Sequence, residues 1–72
     1  MHARISIHPD VCHGKPVITG TRVLVSHILA SLAADESVGE ILRNYPSITE
    51  MDIQAALEFS SELAQFESRP YL

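Results

Sequence analysis

Hydrophobic positions change their period once along this chain. Residues 3–8 read Ala-Arg-Ile-Ser-Ile-His, so Ile5 and Ile7 alternate with polar neighbours, the period of a strand with one buried face. Pro9-Asp10 carries turn chemistry and ends that strand. Residues 11–16 are irregular, broken by Gly14 and Pro16. Val17-Ile18 and Val23-Leu24-Val25 are short apolar runs separated by Thr19-Gly20-Thr21-Arg22, which predicts a hairpin with Gly20 at positive φ in the turn. Pro16 has no N–H to donate and belongs at the start or edge of its strand.

From Ser26 the period becomes helical. Ser26 reads as an N-cap, and Ile28, Leu29 and Leu32 form one face of a short helix ending near Ala34. Asp35 and Glu36 make the next turn. Ser37 caps a second helix, with Glu40 completing a capping box and Val38, Ile41 and Leu42 as its apolar face. Asn44 and Tyr45-Pro46 stop it, because a residue before proline disfavours the α region. Thr49, with Asp52 three residues on, starts a third and longest helix from about Glu50 to Ser68. Ile53, Ala56, Leu57, Ser60, Leu63 and Ala64 follow its 3,4 spacing, whereas Met51, Phe59 and Phe66 fall beside that stripe. Phe59 and Phe66, seven apart, share a second face. Either a partner docks there or Phe59 packs against the β arm. The expected fold is mostly α: a tri-helical, helix-turn-helix-like region at 26–68, preceded by a strand and hairpin arm at 3–25, with a loose tail at 69–72.

A chain of 72 residues is one domain, and a core this small calls for a staple or a partner subunit. Cys12 is the only cysteine, which excludes an internal disulfide and points to a reducing compartment. No signal peptide or membrane span is apparent, so the expectation is a cytoplasmic protein. The net charge of −4 is unevenly spread. Arg4, Lys15 and Arg22 face Asp10 alone in residues 1–34, whereas Arg43 and Arg69 stand against eight carboxylates beyond that point. A basic arm suits phosphates and an acidic end suits a basic protein surface; equally, such charges can serve only to solvate a small domain.

Candidate chemistry is thin. His8, Cys12 and His13, with His2, are metal-ligand types at irregular spacing, and a small thiol among polar turn residues accounts for them as well. Cys12 and His13 are adjacent and lack an orienting third group. Glu58 and Glu62 lie one helical turn apart and face solvent, not a dry catalytic site. Gly14-Lys15-Pro16 lacks the flanking residues of a phosphate loop. These residues imply neither an enzyme nor a cofactor. Arg4, Lys15, Thr19, Thr21 and Arg22 are candidate DNA-binding residues on a ribbon that fits the major groove. Glu58, Phe59, Glu62 and Phe66 are candidate partner-binding residues on the third helix. The start of that helix, with Glu50 and Asp52, repels phosphates, so DNA contact falls to the arm.

The stretch His8-Pro9-Asp10-Val11-Cys12-His13-Gly14-Lys15-Pro16-Val17-Ile18-Thr19-Gly20-Thr21-Arg22-Val23 resembles the signature of a bacterial family, domain of unknown function 433. Ser37-Val38-Gly39-Glu40-Ile41-Leu42, Tyr45-Pro46, Ile48-Thr49, Asp52-Ile53 and Ala55-Ala56-Leu57 resemble its second half. His8 replaces the usual acidic residue before the turn, and Leu24 a frequent proline. The resemblance implies a winged or arm-bearing, homeodomain-like domain that acts as the antitoxin of a PIN-like ribonuclease and represses its own operon. It carries over no catalytic or ligand residues. Two expectations follow: a DNA-binding antitoxin, dimeric through its β arms, or an adaptor that masks a partner protein without touching DNA.

Overall fold

The computed structural model describes residues 2–68, with side chains described through Gln65. Strand β1 (Ile5–Ser6) pairs antiparallel with β2 (Val17–Ile18), Ile5 opposite Ile18 and Ser6 opposite Val17. Helices α1 (Val25–Ala33), α2 (Val38–Asn44) and α3 (Glu50–Ser68) follow. The architecture is thus mostly α, three helices behind a two-stranded arm. The expected loose tail at 69–72 lies outside the described residues.

Two details of the arm differ from the sequence pattern. Ile5 is buried, but Ile7 is 46% exposed, because the strand ends at Ser6 and its alternation ends with it. The tight turn forms as expected: Thr21 N–H donates to the Ile18 carbonyl at 3.0 Å, and Gly20 takes φ +82°. That left-handed third position is the one glycine fills without steric cost. The second run, however, contributes a single bridge, Leu24 to Val17, before the chain turns helical.

Helix α1 therefore starts at Val25, and Ser26 is inside it, not its cap. The N-cap is Leu24, whose side chain offers no acceptor. Val25 N–H donates instead to the Pro16 carbonyl at 3.0 Å, so the arm's backbone replaces a capping hydroxyl. Helix α1 ends in a Schellman turn. Asp35 takes φ +65°, its N–H donates to the Leu32 carbonyl, and Glu36 N–H donates to the Ser31 carbonyl. Ser37 and Glu40 form the reciprocal capping box that their spacing predicts, at 3.1 and 2.9 Å.

One cluster of Ile5, Ile18, Val25, Ile28, Ile41, Ile48, Ile53, Ala55 and Ala56 joins arm and helices. Helix α3 packs against α1, α2 and β1. Its buried stripe runs through Asp52, Ile53, Ala55 and Ala56 to the half-buried Phe59 and Ser60. Leu57 and Leu63, expected on that stripe, are 48% and 52% exposed. Every residue from Ser61 to Gln65 is exposed, so α3 outlasts the body it packs on.

Candidate functional site

The five polar residues expected to read DNA from the arm separate into two groups. Arg4, Thr19 and Thr21 have their polar groups bonded to other parts of the chain. Arg4 Nη1 donates to Asp52 Oδ1 at 3.0 Å, and Nη2 lies 3.6 Å from Met51 Sδ. Asp52 is buried on the inner face of α3, and its other oxygen accepts from Thr49 N–H at 2.8 Å and Thr49 Oγ1 at 3.2 Å. Burial pushes the Asp52 carboxyl up, but the hydrogen bonds from Thr49 and Arg4 outweigh it and hold the group below its ordinary 3.8. Thr19 Oγ1 shares a 2.6 Å hydrogen bond with Ser6 Oγ and donates to the Ala3 carbonyl at 3.2 Å, tying β1 to the turn. Thr21 Oγ1 donates to the Ile18 carbonyl at 2.8 Å and accepts from Val23 N–H at 3.0 Å. These three side chains build the arm and fix it to α3.

A second strap runs beside the first. Arg4 N–H donates to His2 Nδ1 at 3.1 Å, which assigns the ring hydrogen to Nε2. His2 Nε2 then donates to Glu58 Oε1 at 2.9 Å. Glu58, expected as a partner contact, is therefore already engaged by the N-terminal segment. No spacing rule could find either strap, since the pairs lie 48 and 56 residues apart.

Lys15 and Arg22 form the other group. Both are exposed, and neither makes an ion pair among the described residues. Arg22 lines a groove of about 640 Å³ together with His8, Val11, Val17, Thr21 and, from the α2–α3 connection, Ser47. Next to Val11 the backbone is strained: Cys12, His13 and Gly14 take φ of 50°, 58° and 79° in succession. A left-handed non-glycine residue costs about 1–2 kcal/mol, and here two adjoin. Cys12 Sγ lies 3.7 Å from the Arg22 carbonyl, so the turn rests on the hairpin carrying Arg22. Among the described residues, no three His, Cys, Asp or Glu side chains are placed to share a metal ion.

On α3, Phe59 packs at the edge of the core, so it belongs to the fold's interior seam. The side chain of Phe66 lies outside the described ones. What α3 presents is its exposed side, with Met51, Leu57, Glu58 and Glu62, and an overhang carrying Leu63. The helix bears Glu50, Asp52, Glu58, Glu62 and Glu67 and no lysine or arginine. No described helix is long and apolar enough to cross a membrane.

A family described as "Protein of unknown function (DUF433)" matches residues 5–60, from the first strand through the packed part of α3. The chain belongs to the DUF433 family. A crystal structure of a DUF433 member from Anabaena variabilis superposes with a TM-score of 0.79 at 31% identity, covering 93% of this chain and 66% of that one. The uncharacterized protein y4eO of Sinorhizobium fredii is 40% identical over 52 residues, 72% of this chain. The chain spans only 24% of the length of y4eO, so the match is between this DUF433 domain and one part of a longer protein.

Proposed function

We propose that this DUF433 chain is an antitoxin-like binding module that docks a basic partner protein through α3, the partner class implied by the family resemblance being a PIN-like ribonuclease. The observation that carries this reading is the overhang of α3. Leu63 stands half-exposed on a helix that has run past its core, amid carboxylates with no cation on the same helix. Exposed apolar side chains within an acidic field suit a basic cleft and disfavour nucleic acid. The molecule is an adaptor in this reading, without chemistry of its own.

A second reading has its own support. Lys15 and Arg22 are exposed and unpaired among the described residues, and Arg22 borders the arm groove. Operator DNA, if a target, is held by these two cations and not by Arg4, Thr19 or Thr21. Self-association goes with either reading. Strand β1 is at the edge of a two-stranded sheet, with the exposed Ile7 just beyond it, and pairing two such edges would give a dimer through the arms.

The test is calorimetric titration of the chain into a purified PIN-like ribonuclease. Removal of residues 61–72 leaves every core residue in place, whereas a cut after Glu58 would take Phe59 from the core edge. Loss of binding on the shorter cut, or on Leu63→Lys, supports docking through α3; unchanged affinity in both refutes it.

A further inference from the structure

A second depression lies on another part of the surface, between α1 and the end of α2. It is shallow and open, about 360 Å³, and is lined by His27, Ala30 and Ser31 of α1, Glu36 of the connecting turn and Tyr45 at the close of α2. One oxygen of the lining Glu36 carboxylate is anomalous: Oε1 is shut off from solvent and has no hydrogen-bond partner. A buried acceptor left unsatisfied is costly, more so on a carboxylate, and native folds leave few such atoms. No described cation answers it, since among the described residues Arg4 pairs with Asp52 and His2 bonds Glu58.

The backbone explains why the carboxylate stays there. Glu36 N–H is held by the Ser31 carbonyl in the Schellman turn, and the neighbouring Ser37 is committed to the capping box of α2. The side chain therefore departs from a fixed point beside the C-terminal end of α1, where the helix dipole favours positive charge and the last turn carries no basic residue. His27 and Tyr45 add two flat rings to the same depression, and Ser31 a hydroxyl. A carboxylate acceptor, flat faces and a negative helix end together match a planar cation with several N–H donors, which is a guanidinium and not a compact ammonium.

We infer that the α1–α2 depression is a receptor for an arginine side chain presented by a partner polypeptide, with the Glu36 carboxylate turning outward from its unsatisfied position to be the acceptor and Tyr45 and His27 as stacking faces. This site stands apart from α3 and does not rest on docking there.

The experiment is an amide NMR titration of the full chain with N-acetyl-arginine amide, with the citrulline and lysine analogues alongside. Saturable shifts confined to residues 27, 30, 31, 36 and 45 are expected for arginine and none for citrulline. Glu36→Gln should weaken binding by about tenfold or more, the effect of one charge-assisted hydrogen bond. His27→Ala, at an exposed position, tests the stacking face independently and should weaken binding severalfold. Four results overturn the inference: no saturable shift, equal binding of citrulline or lysine, shifts that follow the carboxylates of α3, or undiminished binding by a folded Glu36→Gln.

Discussion

The strap between Arg4 and Asp52 makes the sharpest prediction, because it decides whether a cation of the arm serves DNA or the fold. Asp52→Ala removes the carboxylate that accepts from Thr49 N–H at the start of α3, worth about 1 kcal/mol as a cap. It also removes the acceptor of the Arg4 guanidinium. A hydrogen bond to a charged group contributes about 1.5–3 kcal/mol when enclosed. The Arg4 side chain is 41% exposed, however, and its charge is partly screened, which reduces that share to about 1 kcal/mol. The expected loss is about 2 kcal/mol, against a total of about 4–11 kcal/mol for a domain of this size. Urea unfolding followed by circular dichroism should show it, with a melting temperature lower by about 8–16 °C. Arg4→Ala should cost about 1–2 kcal/mol, since Asp52 keeps its Thr49 bonds but loses its counter-charge, and the double variant should show a coupling of about 1 kcal/mol. Additivity to within about 0.3 kcal/mol would refute the strap and return Arg4 to the surface as a free cation.

The remaining predictions use other atoms. Asp52 is held below 3.8 in the folded chain, so the unfolded state binds the extra proton; its contribution is intact above about pH 4 and declines as pH falls below that, and Asp52→Asn should flatten this acid limb in unfolding curves taken at successive pH values. Asp35→Gly should raise stability by about 0.5–1 kcal/mol, because φ +65° costs glycine nothing; an unchanged or lower urea midpoint argues against the Schellman turn. Ser37→Ala should lower stability by about 1 kcal/mol through loss of the capping hydroxyl, read from the same unfolding curves. If operator DNA is bound, Arg22→Glu or Lys15→Glu should abolish the binding, and neutral replacement of either should shallow the slope of log affinity against log salt by about one unit, whereas Thr19→Val should leave the slope unchanged.

Much of this molecule is written locally. The capping box of Ser37 and Glu40, the turn at Gly20, the proline stop at Tyr45-Pro46 and the extent of α3 each depend on residues within a few positions of one another, so reading along the chain recovers them. The family is legible for the same reason, since its most distinctive stretch is continuous. What the chain order cannot express is which surface meets which. Ser26 has the chemistry of a cap, but the Pro16 carbonyl, nine residues earlier, reaches Val25 first and starts the helix without it. Arg4 has the chemistry of a phosphate contact until folding brings Asp52 to it. Leu63 falls on the helical stripe, yet lies past the point where the body supplies anything to bury it. Propensity, capping and turn geometry are properties of neighbours in sequence; burial and charge pairing are properties of neighbours in space. The division of the arm's polar residues into those bonded within the fold and those left unbonded among the described residues, on which the functional reading turns, belongs to the second kind.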